Sequence, residues 1–136
     1  MANALYTLGK QALIGQVSLD VDTIKVGMLS SAYTPNLGAH QFYSDVSANA
    51  VGTPQTCAGK SITNGVFNFT TATFAAVAGG STVRYFVIYK DTGVPGTSPL
   101  IALIDTTTGA TLPITTNGGD ITFTPDSGAN KLFALT

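Results

Sequence analysis

The sequence predicts a mainly β protein: an antiparallel β-sandwich or jelly-roll-like barrel with one N-terminal helix. Three observations carry this. Short apolar segments recur with Gly, Pro and Asn between them, close to the ~8–12-residue spacing of sandwiches and barrels. Thr is frequent in those segments; its β-branched carbon suits a pleated surface while its hydroxyl stays wet. Two runs, Val83–Tyr89 and Leu100–Ile104, are almost continuously apolar, the pattern of strands buried on both faces.

Taken in order, residues 1–16 supply the helix. In NALYTLGKQALIGQ (3–16), Leu5, Leu8, Ala12 and Leu13 fall on one helical stripe. Asn3 suits an N-cap and Gly15 a stop. Gly9 weakens a helix by about 1 kcal/mol relative to Ala, so a close neighbour on that face is expected. The period then changes. Ile24, Val26 and Met28 alternate with Lys25 and Gly27, which predicts a strand with one buried face. Pro35, Asn36 and Gly38 break the chain, a short helical turn fits His40–Asp45, and 49–59 reads as loop.

From there the chain reads as all β. Lys60–Thr63, Asn64-Gly65 and Val66–Thr70 form a hairpin signal, with Asn-Gly supplying the positive φ angles of a type I′ turn. Thr71–Val77 reads as a strand with Ala72, Phe74 and Ala76 on one face. Val83–Tyr89 and Leu100–Ile104 follow, joined by a projecting loop over Asp91–Pro99. Ile121–Thr124 and Lys131–Leu135 complete the sheets. The whole is read as one domain, 1–136, with the sandwich over 23–136. The expected central packing includes Phe67, Phe69, Phe86, Ile88, Leu103 and Phe123. If the two apolar runs are buried on both faces, the second face needs a cover. The N-terminal helix is one candidate; a second subunit or another protein is the other.

Composition narrows the function classes. Charged residues make up 10% of the chain and Glu is absent, against about 25% charged in an ordinary soluble domain. So light a charge repels neighbours weakly, and self-association is expected. The basic residues Lys10, Lys25, Lys60, Arg84, Lys90 and Lys131 are scattered, and the net charge is -1. That gives no phosphate-neutralising patch, so nucleic acid is not an expected partner. No apolar run reaches the ~18 residues of a membrane span. The N-terminus lacks a basic start before an apolar block, so folding in a cytoplasm is expected. The single Cys57 leaves no internal disulfide or Cys-rich zinc site.

Catalytic patterns do not assemble. His40 is the only histidine, and all seven acids are Asp. Asp20 and Asp22 point the same way on an extended segment, but two ligands do not make a cation site. Gly59-Lys60-Ser61 lacks the upstream glycine of a phosphate loop, since Pro54 occupies that place. Asn117-Gly118-Gly119-Asp120 is a turn by composition. The reading is therefore a non-enzyme with no catalytic, cofactor-binding or metal residues. Candidate interface residues are Leu5, Leu8 and Leu13 on the N-terminal stripe, with Tyr6, Tyr33, Phe42 and Tyr43 outside the main β block. Tyrosine suits a place with one apolar and one wet end.

The order of elements resembles a family of small structural proteins of tailed bacteriophages. The residues that carry the resemblance are Ala4-Leu5-Tyr6, Gly9-Lys10 and Leu13, then Ile24-Lys25-Val26-Gly27-Met28-Leu29. They continue with Tyr33-Thr34-Pro35-Asn36 and Gln41-Phe42-Tyr43-Ser44-Asp45-Val46. Val87–Gly93, Ser98–Ile101 and Asn117–Ile121 complete the set. The resemblance spans nearly the whole chain and implies a non-enzymatic virion component. A capsid decoration or cement protein is the leading expectation, seated on the phage head with the major capsid protein as partner. A homotrimer is expected because identical chains favour closed symmetry and a trimer matches the three-fold positions of a shell. A neck or tail component and a carbohydrate-binding β-module are the alternatives.

Overall fold

The computed structural model describes residues 4–15, 17–19, 21–63, 66–105, 112–124 and 133–134. The chain is mainly β, all its strand pairs are antiparallel, and one helix lies near the N-terminus. The strands are β1 (Ala4–Leu5), β2 (Ile24–Ser30), β3 (Ala50–Thr56), β4 (Ser61–Thr63), β5 (Val66–Asn68) and β6 (Ala72–Phe74). They continue with β7 (Thr82–Lys90), β8 (Leu100–Ile104), β9 (Ile114–Thr115), β10 (Ile121–Phe123) and β11 (Phe133–Ala134); the helix α1 is Thr7–Gly15.

The main sheet has the order β1-β8-β7-β2-β3. Strand β9 pairs with β7 at Thr82 and Val83. Since β2 already pairs with Val83 from the other edge, β9 extends the line of β8. Two smaller sheets, β10-β6 and β11-β5-β4, complete the sandwich. Alternation along β7 divides the packing: Phe86 and Ile88 point to one core, Val87 and Tyr89 to the other. The first core joins Ile24, Val26 and Met28 of β2 to Phe67, Phe69, Phe74 and Phe123 from the smaller sheets and their flanks. The second core contains Leu29, Leu100 and Leu103 under Tyr6, Tyr33, Tyr43 and Val46. Both faces of β7 and β8 are thus sealed within one chain, which is why their sequences alternate so little. All six expected core residues are buried, with Leu103 in the second core rather than the first.

Register shifts make this division possible. Between Ile88/Ala102 and Tyr89/Leu100 the pairing skips Ile101. That bulge turns Ile101 to the same core as Ala102 while Leu100 faces the other.

Four expectations are corrected. The helix does not begin at Asn3, which lies outside the described residues, but at Thr7. Ala4 and Leu5 instead extend as β1 against Leu103 and Ala102, because the edge of β8 has backbone groups to satisfy. Leu5 is therefore a strand residue, and the helical stripe reduces to Leu8, Ala12 and Leu13. The expected loop 49–59 contains β3, an edge strand disguised by Pro54 and by Gly52 at φ +67°. Such breakers are tolerated at an edge and blunt it against further pairing. The strand expected over Thr71–Val77 ends at Phe74, and Ala76 turns with φ 48° rather than continuing the face.

Other expectations hold. Thr63 pairs with Val66 in the 60–70 hairpin, although Asn64 and Gly65 lie outside the described residues. Of the expected strand Lys131–Leu135, Phe133–Ala134 is described, as β11. Gly9 also meets its expected neighbour. A Cβ there would lie 2.9 Å from the carbonyl oxygen of Ile101 and closer still to that of Leu100. The helix crosses β8 at a distance only glycine permits.

Candidate functional site

Two places gather the side chains capable of recognition or chemistry. The first is the tyrosine-lined face of the main sheet. It forms because Tyr6, at the β1–α1 junction, and Tyr33, after β2, meet beneath the loop that carries His40. Backbone bonds pin the junction: Tyr6 N–H donates to Ile101 O at 3.0 Å and Thr7 N–H to Leu37 O at 2.9 Å. The Tyr6 and Tyr33 hydroxyls lie 3.0 Å apart, and the Tyr33 hydroxyl lies 2.8 Å from Nδ1 of half-buried His40. Tyr33 meets Tyr85 edge-on at 5.8 Å between centroids, and Arg84 lies over the Tyr85 ring at 4.9 Å. Nearby, Tyr43 stacks on Tyr89 with centroids 4.2 Å apart. Such ring pairs add to simple burial.

The electrostatics of this face follow from burial. Desolvation pushes the phenols of Tyr6, Tyr33, Tyr43 and Tyr89 above their ordinary range. For Tyr6, the bond to Tyr33 adds to the effect. Asp45, at the end of the 3₁₀ turn Tyr43–Asp45, is displaced the other way. The backbone N–H groups of Phe42 and Gln41 donate to its Oδ2 at 2.9 and 2.8 Å and hold the carboxylate in its charged form; His40 contributes in the same sense.

The second place is the end of the sandwich where β2 begins and β7 finishes. Two ion pairs lie there, Lys25–Asp91 at 3.0 Å and Lys90–Asp22 at 3.3 Å. Lys60 donates to the Asp22 carbonyl oxygen. Both carboxyls are held below the usual range, first by a backbone N–H (Ser18 for Asp22, Gly93 for Asp91) and then by the lysine. A cleft of about 360 Å³ opens beside Lys90 and Asp22, lined also by Ile14, Gly15, Val17 and Ser18.

Above this end stands the expected loop between β7 and β8, braced by its own hydroxyls. Ser98 Oγ donates to Val94 O at 2.8 Å and accepts from Thr92 N–H at 3.1 Å, while the Thr92 and Thr97 hydroxyls meet at 2.6 Å. Among the described residues, three of the four exposed large apolar side chains belong to this end: Ile14 at 87% exposure, Val21 at 77% and Val94 at 55%. The fourth, Ile62, lies on β4.

The candidate interface residues from the sequence divide unevenly between these places. Tyr6, Tyr33 and Tyr43 are buried within the chain's own second core. Leu5 and Leu13 pack against the first core, and Leu8 is half-buried. Phe42 forms an isolated bridge with Pro99. The exposed set at the sandwich end was missed. Val21 and Val94 stand as single apolar residues in polar turns and Ile14 lies near the end of the helix, and only the fold brings such positions together.

The remaining reactive groups are structural in their contacts. Burial raises the Cys57 thiol to about 12, although Lys60 pulls the other way. Asp20 lies outside the described residues. Among the described residues, no three His, Cys, Asp or Glu side chains gather to hold a metal ion, and no helix is long and apolar enough to cross a membrane. Comparison with family models, curated proteins and solved structures finds no match.

Proposed function

We propose that the chain is a non-enzymatic structural protein of a phage virion, a capsid decoration or cement protein. It binds the major capsid protein on the head surface as a homotrimer. The observation that supports this reading is the sandwich end that carries Ile14, Val21 and Val94 exposed beside two ion pairs. A chain with 10% charged residues has placed four of its charges there, beside three of the four exposed large apolar side chains found among the described residues. Exposed apolar groups rimmed by polar ones mark association sites. The braced loop beneath Val94 loses little conformational freedom on docking, which favours affinity. A shell partner that binds only the folded protein stabilises it by mass action.

The test is a pair of charge substitutions, Ile14→Asp and Val94→Asp, assayed for binding to shells that lack the protein. Binding should fall at least ~10-fold for the double variant, the effect of ~1.4 kcal/mol, with an unchanged melting curve. Full binding by the double variant would move the contact elsewhere. Deleting residues 2–13 would test the fold rather than the contact, because it removes Tyr6 from the core and β1 from β8. Light-scattering mass and copy number per particle test the trimer and the head location. A monomeric mass counts against the first, and a single-ring copy number favours a neck or tail position.

A further inference from the structure

The hydroxyls of Tyr6 and Tyr33 and the imidazole of His40 form a chain in which the direction of each hydrogen bond is determined. A phenol has one proton to donate. Tyr6 is fully buried, and among the described residues its hydroxyl meets Tyr33 alone. The Tyr6 proton must therefore go to Tyr33 oxygen. The Tyr33 proton then goes to His40 Nδ1, 2.8 Å away. This order satisfies every donor only when Nδ1 carries no proton, so the neutral ring holds its proton on Nε2.

We propose that this chain is an acid-sensitive clasp on the N-terminal segment. A second proton, taken from solvent onto His40 Nδ1, reverses both bonds, strands the Tyr6 hydroxyl proton and loosens the β1–α1 junction. With Nδ1 protonated, the imidazolium donates to Tyr33 oxygen, whose other lone pair is taken by the Asn36 backbone N–H, so Tyr6 loses its acceptor and Tyr33 can donate only to Tyr6. The Tyr6 proton then lies in an apolar core with no acceptor, a costly state for a buried donor. Tyr6 is the anchor of its segment, with its own N–H bonded to Ile101 O and that of Thr7 to Leu37 O. Loss of its hydroxyl bond therefore acts where β1 passes into α1.

The groups around His40 set the balance. Asp45 is near enough for the two charges to interact, and it attracts the imidazolium. That attraction is screened, because Asp45 is exposed and its carboxylate is already held by Gln41 and Phe42 N–H. Arg84 lies behind Tyr85 on β7 and opposes a second positive charge. Burial pushes the Tyr6 and Tyr33 phenols up, so both are neutral here.

The test uses the intact protein between pH 7.5 and 5.5, above the carboxylate range. After correction for intrinsic rates, exchange of the Tyr6 and Thr7 amides should accelerate roughly 10-fold as pH falls. Nitrogen chemical shifts should show the Nε2–H tautomer at the upper pH. His40→Asn keeps an acceptor near Nδ1 but cannot titrate, so its exchange should not respond to pH. Tyr6→Phe has no proton to strand and should also be insensitive to pH, although less protected throughout. A pH response that persists in either variant, an Nδ1–H tautomer, or a wild-type protein without the response would each overturn the proposal.

Discussion

The two faces of the main sheet bury aromatic residues of different kinds. On one, Phe67, Phe69, Phe74, Phe86 and Phe123 pack ring on ring, with Phe86 and Phe123 centroids 4.7 Å apart and Phe69 stacked on Phe123 at 5.6 Å. All five of the chain's tyrosines are found on the other. The difference follows from what covers each face. Sheets cover the phenylalanine side, and their backbone groups are satisfied in ladders, so a ring there needs no polar atom. A short helical junction and the irregular segment 33–46 cover the tyrosine side. Loops bring polar groups and water close, and a phenol can bury its ring while its hydroxyl finds a partner. One face is held by shape alone; the other is held by hydrogen-bonded hydroxyls as well.

Alkaline pH separates the faces most strongly. The four raised phenols ionise at about 10 when unfolded and above that when folded. Their contribution to stability is complete below pH ~10 and is lost as pH rises through the folded values. Tyrosinate absorbance should appear together with unfolding, in one transition. Gradual ionisation before unfolding would show that the tyrosine face is open to water.

Among substitutions, Phe86→Ala should have the largest effect, a loss of about 3–5 kcal/mol in a denaturant titration, since the ring is fully buried against Phe74 and Phe123. Gly9→Ala comes next. It gains about 1 kcal/mol of helix propensity, but the obstacle is the Leu100 and Ile101 backbone. Overpacking against an unyielding neighbour costs about 1–3 kcal/mol, so the melting temperature should fall.

Tyr6→Phe should cost about 1 kcal/mol at neutral pH through its lost hydrogen bond. Tyr43→Phe should cost less, because Tyr43 is held by stacking on Tyr89. Equal losses would remove the distinction between bonded and stacked tyrosines. The smallest effect is expected for Asp45→Asn. Its lowered carboxyl stabilises the fold above the unfolded value of about 4, and that contribution is lost as pH falls through the folded one. The variant should therefore be slightly less stable at neutral pH and show a correspondingly shallower acid limb in a pH melt.

The sequence by itself determined the β class, the central strands β2, β7, β8 and β10, the hairpin of β4 and β5, and the buried phenylalanines. Alternation, Asn-Gly and long apolar runs are local signals, and strands that must be buried write them plainly. It also showed, through Gly9, that something packs closely on the helix. Tertiary structure alone decided what covers the second face. Tyr6, Tyr33 and Tyr43 look in sequence like exposed interface residues, because each lies outside the main β block. Their burial depends on contacts across long separations, such as the 27 residues between Tyr6 and Tyr33. The edge strand β3 was hidden for a related reason. A strand paired on one side tolerates Pro54 and Gly52, so its extended form comes from β2 rather than from its own residues. The apolar end was equally illegible: Ile14 lies near the end of the helix and Val21 and Val94 stand alone in polar turns, and only the antiparallel return of β7 beside β2 brings them to one place.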